Sequence, residues 1–290
     1  MLSINAKKIF LLSTIMVTLS GCGVSAGSSS LSTTNSYSSS IAIKDSSAAV
    51  TYKDYFTRVT HDGYSTNITS RSNKFSVIID NGQEKTFNSF TELCLSRTLY
   101  NDIKTSIDEI LKEVSATDCS QAEKKLYNLT EIDLSNSSIY NLLPFVWFTN
   151  LQKINLSNTQ VVNLVYLSNL HKLNHLDITN TRVDTFLHLR SENLQYLHAS
   201  GTQVDSFLHL TSESGLQYLD VSGTQIDSFL HLPSLNNLQH LDVSGTQIDS
   251  FLNLPSLSNL SYLDIRNTEI KDSTFMPSLP KLKRLDQGNE

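Results

Sequence analysis

A 22-residue pattern recurs through the second half of the chain and restricts its fold more than any other feature. The clearest copies, Leu216–Ile226 and Leu238–Ile248, read LQYLDVSGTQI and LQHLDVSGTQI. Apolar residues occupy the first, fourth, sixth and eleventh positions, and one copy alone cannot bury them. Stacked copies can share one continuous core. The pattern therefore predicts a solenoid.

Seven full copies and a partial eighth align on their first leucine. The full copies begin at Leu129, Leu151, Leu173, Leu194, Leu216, Leu238 and Leu260, and the partial copy begins at Leu282. The shared motif, Leu-x-x-Leu-x-[Leu/Ile/Val]-x-x-Thr-x-[Ile/Val], resembles the leucine-rich-repeat signature, with threonine where asparagine is usual. The repeat length resembles that of bacterial internalins. This resemblance implies an α/β-type leucine-rich-repeat solenoid over residues 129–290, with short parallel strands on the concave face and an irregular or 3-10 convex side.

Position nine of each full copy holds a hydroxyl group. The residues are Ser137, Thr159, Thr181, Thr202, Thr224, Thr246 and Thr268. The family resemblance implies that they take the place of an asparagine that satisfies backbone groups at a bend. Hydroxyl groups can form such bonds. We therefore expect this column to be structural.

Strand alternation sends positions three, five and seven of each copy to the concave face. In the later copies, position three is mostly aromatic and position five mostly acidic, a composition typical of recognition surfaces. The predicted ligand-binding residues are Tyr196, His198, Tyr218, Asp220, His240, Asp242, Tyr262 and Asp264. Aspartates on adjacent strands repel one another unless a cation or a basic partner compensates. The alternative is a solvated acidic face that only keeps the sheet soluble.

Two further columns lie at positions 15 and 16. The histidines at position 16, His188, His209 and His231, could suggest a metal site, but duplication of one sequence explains them more simply. The leucines at position 15 are Leu187, Leu208, Leu230 and Leu252. They either point outward as an apolar stripe on the convex side, or strand-like alternation buries them. The sequence leaves this alternative open.

The first 21 residues have the composition of an export signal peptide. Two lysines precede an apolar run from Ile9 to Leu19, which is too short for a permanent membrane-spanning helix. The segment Leu19–Cys22 resembles the lipobox of bacterial lipoproteins, which implies cleavage before Cys22 and acylation, such as with palmitate. In Gram-negative lipoproteins a residue other than aspartate in the next position favours the outer membrane, and Gly23 fits that rule. An ordinary secretory signal is the alternative, and the periplasmic or surface side stays open.

Residues 22–50 are rich in serine and carry little charge or apolar surface. Such a segment cannot bury enough surface to offset its ordering entropy, so we expect a flexible tether. An N-terminal module is predicted over residues 51–128. It would contain a hairpin with an Asn81-Gly82 turn between Phe75–Asp80 and Lys85–Phe87, and helices over Phe90–Val114 and Ser120–Tyr127.

Cys94 and Cys119 remain as an even pair if Cys22 is acylated. In an exported protein this favours one disulfide, with two separate buried thiols or a metal-binding pair as alternatives. The segments around both cysteines run into the first repeat and resemble the N-terminal cap of secreted bacterial leucine-rich-repeat proteins. The resemblance implies a small α/β cap that covers the apolar end of the solenoid.

Net charge and motif content restrict the function. The formal net charge is −6, and loss of the two lysines with a signal peptide makes it more negative. Nucleic acid and anionic lipid surfaces are therefore not expected partners. Because the sequence has no nucleophile elbow, metal-ligand spacing or phosphate-binding glycine loop, it predicts no catalytic residues, no cofactor and no metal.

These features together predict a non-catalytic protein-binding module of the bacterial envelope, anchored to the membrane through its N-terminal lipid. The resemblance to internalins implies that the concave face binds a protein ligand, in adhesion or host interaction. The alternative is a periplasmic structural or inhibitory protein whose ligand is another envelope protein. The sequence identifies neither the ligand nor the oligomeric state.

Overall fold

The computed structural model describes residues 40–42, 49–53, 56–61, 64–69, 75–79, 83–189, 193–211 and 215–288. Two sheets occupy this part of the chain, and three α-helices lie between them in sequence. The first sheet has six antiparallel strands. The second has eight parallel strands and contains the repeats.

The antiparallel sheet consists of β1 (Ser40–Ala42), β2 (Ala49–Lys53), β3 (Phe56–His61), β4 (Tyr64–Thr69), β5 (Phe75–Ile79) and β6 (Gln83–Phe87). The helices are α1 (Phe90–Cys94), α2 (Asn101–Glu113) and α3 (Cys119–Tyr127). The parallel sheet consists of β7 (Glu131–Asp133), β8 (Lys153–Asn155), β9 (His175–Asp177), β10 (Tyr196–His198), β11 (Tyr218–Asp220), β12 (His240–Asp242), β13 (Tyr262–Asp264) and β14 (Arg284–Asp286). Two 3-10 helices, Leu143–Trp147 and Val165–Leu167, follow β7 and β8.

Each repeat contributes one strand to the parallel sheet. We number the turns one to eight, from the copy that begins at Leu129 to the partial copy that begins at Leu282. Equivalent positions lie side by side in neighbouring strands, for example Leu219 of β11 opposite Leu241 of β12. The partial eighth copy also forms a strand, β14, which pairs with β13. The structure therefore confirms the predicted solenoid of stacked parallel strands.

The apolar positions of the repeats form one continuous core. Positions one, four, six and eleven are buried throughout turns two to six. Position 14 adds a column of phenylalanines, in which Phe229 stacks between Phe207 and Phe251 with ring centroids 6.3 and 6.4 Å away. Burial of one such side chain stabilises a fold by about 1.5–3 kcal/mol. This column therefore contributes strongly to the stacking of turns.

A sharp bend follows each strand. Position eight adopts a left-handed backbone conformation with φ between 55° and 67°, in Asn136, Asn158, Asn180, Gly201, Gly223, Gly245 and Asn267. Asparagine and glycine tolerate this region best. The next residue stabilises the bend, since the buried hydroxyl of Thr224 donates a hydrogen bond to the Val221 carbonyl oxygen at 2.7 Å. The same bond recurs in the other six full turns, so position nine has the structural role that the sequence predicts.

The helical segment before the repeats differs from the prediction. The single helix predicted over Phe90–Val114 is wrong, because the structure contains α1 and α2, which are separated by residues 95–100. Ser96 and Thr98 lie in the break, and their hydroxyl oxygens are 3.5 Å apart. Short hydroxyl side chains of this kind compete with helical backbone bonds. Leu99 in the break is nevertheless buried, so the apolar spacing continues across it.

The helix α3 begins one residue before its predicted start. The Asp118 carboxylate accepts a hydrogen bond from the Gln121 N–H at 2.8 Å, and the Gln121 side chain accepts one from the Thr117 N–H at 2.9 Å. This reciprocal pair resembles a capping box. Cys119, the first residue of α3, forms a disulfide with Cys94, the last residue of α1, with Cα atoms 5.8 Å apart.

The helices contact the first turn of the solenoid. The ring of Phe90 in α1 lies against that of Phe148, with centroids 5.4 Å apart. In α2, the buried Ser106 hydroxyl accepts a hydrogen bond from the Asn141 N–H at 3.1 Å. Buried residues of all three helices belong to the same apolar core as the repeats. The core therefore continues from the helices into the solenoid.

The antiparallel sheet has its strands in sequence order. Its last two strands, β5 and β6, pair with Ile79 opposite Gln83 and form the predicted hairpin, whose Asn81-Gly82 turn lies outside the described residues. The strand β1 and the start of β2 fall within residues 22–50, where the sequence predicts a tether. Among the described residues, no helix has the length and apolar character needed to cross a membrane.

Candidate functional site

The outward side of the repeat sheet carries the side chains predicted to bind a ligand. In turns three to six, the middle residue of each strand is buried, and its neighbours at positions three and five are partly exposed. This alternation follows from strand geometry. We use the term sheet face for the surface formed by positions three, five and seven. Because the strands are in register, each of these positions forms a column along the face.

Position three forms a stack of aromatic rings from turn three to turn seven. Its members, His175, Tyr196, Tyr218, His240 and Tyr262, form what we term the aromatic ladder. The ring of His240 lies between Tyr218 and Tyr262, with centroids 4.3 Å from each and interplanar angles of 14° and 12°. The two preceding pairs are wider, with centroids 5.4 and 6.4 Å apart. Such pairs contribute about 0.5–1.5 kcal/mol each beyond their buried area, so the rings are held in place before any ligand binds.

His198 widens the ladder in turn four. It occupies position five, where the next three turns carry aspartate. Its ring centroid lies 5.2 Å from that of His175 and 4.6 Å from that of Tyr218. Aromatic contacts therefore cross between the two columns, and turns three to five present a continuous aromatic surface.

The acidic side chains at position five also bond to their own backbone. Oδ1 of Asp242 accepts a hydrogen bond from the Ser244 N–H at 2.8 Å. The same bond is made by Asp133, Asn155, Asp177, Asp220 and Asp264. Aspartate and asparagine favour this local turn. Strand alternation and charge alone do not predict this structural role of position five.

Arginines neutralise the acidic column at the C-terminal end of the face. Asp264 is fully buried, and Nε of Arg266 lies 3.0 Å from each of its carboxylate oxygens. Burial opposes ionisation of Asp264, but hydrogen bonds from Arg266 and Tyr262 outweigh it and lower its pKa. In turn eight, Nε of Arg284 lies 2.9 Å from Asp286, and its guanidinium carbon lies 5.3 Å from the Tyr262 ring centroid.

The middle of the face lacks this compensation. In turns one and two, Nζ of Lys153 pairs with Glu131 at 2.8 Å. Among the described residues, by contrast, no ion pair involves Asp177, Asp220 or Asp242. The charges of the face are therefore balanced by arginines at its C-terminal end, only partly balanced by Lys153 at its N-terminal end, and uncompensated at Asp177, Asp220 and Asp242.

Asp242 shows the effect of this uncompensated charge. Burial raises the pKa of its carboxyl group, and repulsion from Asp220 and Asp264 adds to that effect. Hydrogen bonds from Ser244 act in the opposite direction but do not reverse it. Ionised Asp242 is therefore held in an unfavourable environment.

The rings of His240 and Tyr218, beside these carboxylates, are neutral at neutral pH. Burial lowers the pKa of His240, although Asp242 and Asp220 favour its protonated form. Burial of Tyr218, together with the same two carboxylates, raises the pKa of its hydroxyl to about 12. The centre of the face therefore combines neutral aromatic rings with negative carboxylates.

The structure places seven of the eight predicted ligand-binding residues on the sheet face with exposed or partly exposed side chains. The eighth, Asp264, has the equivalent position but is fully buried and paired with Arg266. Tyr196, His198, Tyr218, Asp220, His240, Asp242, Tyr262 and Asp264 occupy positions three and five of turns four to seven. The prediction left out His175, Arg266 and the pair in turn eight. Arg266 could have been found from the sequence, because the other full copies have serine or threonine at position seven. Cys22, the predicted lipidation site, lies outside the described residues.

The histidine column at position 16 has a backbone explanation. His188, His209, His231 and Asn253 all adopt positive φ values, between 67° and 76°. Histidine and asparagine are among the non-glycine residues enriched in this region. In the part of the chain that the structure describes, no group of three or more His, Cys, Asp or Glu residues could hold a metal ion.

The leucines at position 15 point outward. Leu208, Leu230 and Leu252 are 42%, 49% and 50% exposed, and Leu187 is partly exposed. The open alternative is thereby resolved in favour of an apolar stripe. This stripe is a second candidate binding surface, and it can serve as the control in tests of the sheet face.

Comparisons with known proteins agree with the observed architecture. A family model described as Leucine Rich Repeat matches residues 237–260. An internalin from Listeria monocytogenes, InlF, is similar in structure, with 23% sequence identity, coverage of 65% of this chain and 62% of that chain, and a TM-score of 0.51. Internalin C2 of the same species is 19% identical over 62% of this chain and 91% of its own, with a TM-score of 0.47. YopM from Yersinia enterocolitica is 28% identical over 53% of this chain and 31% of its own, with a TM-score of 0.42.

A search of curated protein sequences gives no match. The repeat match and the similarity to InlF support the fold, and the repeat region is a leucine-rich-repeat solenoid. Solenoids of this kind generally present an extended surface to protein partners. The fold therefore indicates a protein-binding module.

Proposed function

We propose that the protein is a non-catalytic, lipid-anchored module of the bacterial envelope whose sheet face binds a protein ligand. The observation that carries this proposal is the aromatic ladder beside uncompensated carboxylates, in register on adjacent strands. Tyrosine and other aromatic residues dominate binding energy at protein interfaces. Because the rings already stack on one another, little side-chain entropy is lost when a partner covers them.

The N-terminal helices support the binding surface indirectly. In the proposed arrangement, the disulfide-linked α1 and α3, with α2, form a cap that covers the apolar end of turn one. The contact of Phe90 with Phe148 and the bond of Ser106 with Asn141 support this role. A covered end keeps the first turns from fraying. The later turns are stabilised in the same way, because each turn packs on the one before it.

A direct test of the binding surface is photo-crosslinking followed by isolation of the captured protein. The full chain would be compared with a variant carrying Tyr196→Ala, Tyr218→Ala and Asp242→Asn. The change at Asp242 keeps an oxygen that can accept the Ser244 N–H, as Asn155 does in turn two for Ser157. We expect the variant to lose the crosslinked partner. Because the variant also loses the ring contacts of Tyr196 and Tyr218, its unfolding temperature should fall by several degrees, so capture is measured well below that temperature.

The exposed leucine stripe provides the matched control. The variant Leu208→Ser, Leu230→Ser and Leu252→Ser alters three exposed side chains and leaves the sheet face unchanged. Crosslinking should persist in this control. Loss of the partner in the stripe variant, with full capture by the sheet-face variant, would contradict the proposal and place the binding surface on the stripe.

The anchor and the cellular setting need separate tests. The two lysines, the apolar run and the Leu19–Cys22 segment support acylation of Cys22. We expect incorporation of labelled palmitate that Cys22→Ser abolishes. Protease treatment of intact cells then tests adhesion, since cleavage supports display at the surface. Protection from the protease would rule out a role in adhesion and favour a ligand within the envelope.

A further inference from the structure

The last two turns show how the sheet face accommodates arginine. Arg266 reaches from position seven to the carboxylate of Asp264 in its own turn, with Nε 3.0 Å from both oxygens. Arg284 bonds to Asp286 and lies over the ring of Tyr262. A planar guanidinium suits both contacts, because its N–H groups fit a carboxylate while its face lies on an aromatic ring. The chain thus supplies its own arginines to this end of the face.

Turns five and six have the same carboxylates without the arginines. The place that Arg284 takes over the Tyr262 ring is filled over Tyr218 by the ring of His240. Asp220 and Asp242 lie beside Tyr218 and His240, whose ring centroids are 4.3 Å apart. Position seven is serine in both turns, and the hydrogen bonds to the two carboxylates within the described residues come from these serines. Serine is uncharged, and its side chain is too short to reach the position that the Arg266 guanidinium fills in turn seven. The carboxylates of this arrangement are therefore repeated, but no residue in the described part of the chain forms an ion pair with them.

We infer that turns five and six bind an arginine side chain of the protein ligand, with its guanidinium hydrogen-bonded to Asp220 and Asp242 beside the edges of the Tyr218 and His240 rings. This inference rests on the proposed function, since it names the chemistry of the ligand at the same surface. Adjacent strands are about 4.8 Å apart, and a guanidinium has five N–H donors in a fixed plane. One side chain can therefore bond to both carboxylates.

Charge complementarity favours this occupant over a neutral or acidic segment. Arg266 and Arg284 neutralise the C-terminal end of the face, and Lys153 pairs with Glu131 near the other end. The uncompensated Asp177, Asp220 and Asp242 lie between them. Arginine is also favoured over lysine, because an ammonium group is a compact point charge that cannot form paired bonds in one plane. A ligand that inserts arginine here relieves the repulsion between the two aspartates.

The first test uses tri-arginine amide as a probe, with tri-lysine amide as a control of equal charge. Calorimetric titration of the full chain should give an affinity for tri-arginine at least about tenfold higher, as expected for paired charge-assisted bonds. The double variant Asp220→Asn and Asp242→Asn should weaken tri-arginine binding by about tenfold or more. The matched control is Asp227→Asn and Asp249→Asn, which removes the same charge from exposed position-12 side chains of the same turns and should have little effect.

The second test fills the site from within the chain. Ser244→Arg places an arginine in turn six at the position that Arg266 occupies in turn seven, and should abolish tri-arginine binding while lowering the pKa of Asp242, measured by carbon-detected NMR. Ser244→Gln, which adds length without charge, should leave both unchanged. The NMR measurement also shows whether each variant remains folded.

The outcomes separate this inference from the proposed function. Equal binding of tri-arginine and tri-lysine, or unchanged binding in the Asp220→Asn and Asp242→Asn variant, would overturn the arginine site. If the sheet-face variant still loses its crosslinked protein in that case, the proposed function stands without it. Specific tri-arginine binding without any protein crosslinked at the face would support the arginine site and contradict the proposed function.

Discussion

The hydroxyl of Tyr262 donates a hydrogen bond to the carboxylate of Asp286 at 2.7 Å and links turn seven to turn eight. The same hydroxyl lies 3.0 Å from Oδ2 of Asp264 in its own strand. One side chain of the candidate site therefore also holds the last strand of the sheet. Binding and folding share residues at this end of the face.

We predict that Tyr262→Phe lowers the free energy of unfolding by about 1–2 kcal/mol, because it removes the single hydroxyl proton that lies between the carboxylates of Asp286 and Asp264. Urea denaturation measures this loss, and amide hydrogen exchange should show faster exchange in β14. The control is Tyr196→Phe, since the Tyr196 ring is 37% exposed and its hydroxyl forms no hydrogen bond with the described residues. Equal stability losses in the two variants would contradict the role of the Tyr262 hydroxyl.

The architecture of the repeats could be predicted because apolar residues recur at the same positions of every copy, which indicates that these positions are buried. Leu219 and Leu241 occupy equivalent positions in two copies, so a stack that buries one also buries the other. The break between α1 and α2 could not be predicted in this way. Leu99 lies in that break and is buried. The apolar residues therefore keep the spacing of a single helix although the backbone between α1 and α2 is not helical.

The sequence predicted where the candidate-site side chains lie, but not which of the carboxylates are neutralised. Alternation along each strand places Tyr218 and Asp220 on the same face, which requires no knowledge of their neighbours. The state of each carboxylate depends instead on contacts within and between turns. Arg266 neutralises Asp264, whereas serine occupies the equivalent position beside Asp242. Comparing position seven together with positions three and five would have shown from the sequence that only turn seven, among the full copies, places an arginine beside its aspartate.

Removing the charge of Asp242 should raise the free energy of unfolding, whereas removing the charge of Asp264 should lower it. Because the pKa of Asp242 is raised, the folded chain binds its proton more tightly than the unfolded chain, and ionisation destabilises the fold as pH rises. We therefore expect Asp242→Asn to increase the free energy of unfolding at neutral pH. The gain should vanish as pH falls below the ordinary value of 3.8.

Asp264→Asn is the matched comparison, since it makes the same change one turn later. The pKa of Asp264 is lowered, so its ionised form stabilises the fold above pH 3.8, and this contribution is lost as pH falls through the lowered value. The variant should therefore be less stable than the unaltered chain at neutral pH. Denaturation curves across this range measure both effects, and a common sign would refute the distinction between the two sites.

His188 should make the fold sensitive to mild acid. Burial, with a smaller effect of His209, lowers the pKa of His188 to about 4 from 6.5. The unfolded chain binds the proton at higher pH, so stability is complete above pH 6.5 and falls as pH decreases towards 4. A shift of this size corresponds to a loss on the order of 3 kcal/mol below that range.

The variant His188→Asn tests this effect, because Asn253 adopts the same left-handed conformation at the equivalent position, with φ of 67° against 71°. We expect the stability difference between the variant and the unaltered chain to change between pH 6.5 and about 4, in favour of the variant at lower pH. A pH-independent difference, measured by urea denaturation, would exclude His188 as the source.

The disulfide between Cys94 and Cys119 should stabilise the helices against turn one. It joins residues separated by 25 positions, and closing a segment of this size stabilises proteins by about 2–4 kcal/mol. The variant Cys94→Ser and Cys119→Ser should lose that amount in denaturant unfolding. Reduction of the unaltered chain should reproduce the loss and leave the variant unchanged. Identical unfolding of the oxidised and reduced chains would show that the bond contributes nothing to stability.

The threonine column offers a test of the bends themselves. Thr224→Val keeps the side-chain shape but removes the hydroxyl that donates to the Val221 carbonyl oxygen, at a site where Thr224 is only 4% exposed. An unpaired buried acceptor destabilises a protein by about 1–3 kcal/mol. Thr224→Ser keeps the donor, and Ser137 makes the same bond in turn one at 2.6 Å. We therefore expect Thr224→Val to lower the unfolding temperature more than Thr224→Ser does. The reverse order would mean that packing of the threonine methyl group, and not the hydrogen bond, stabilises the bend.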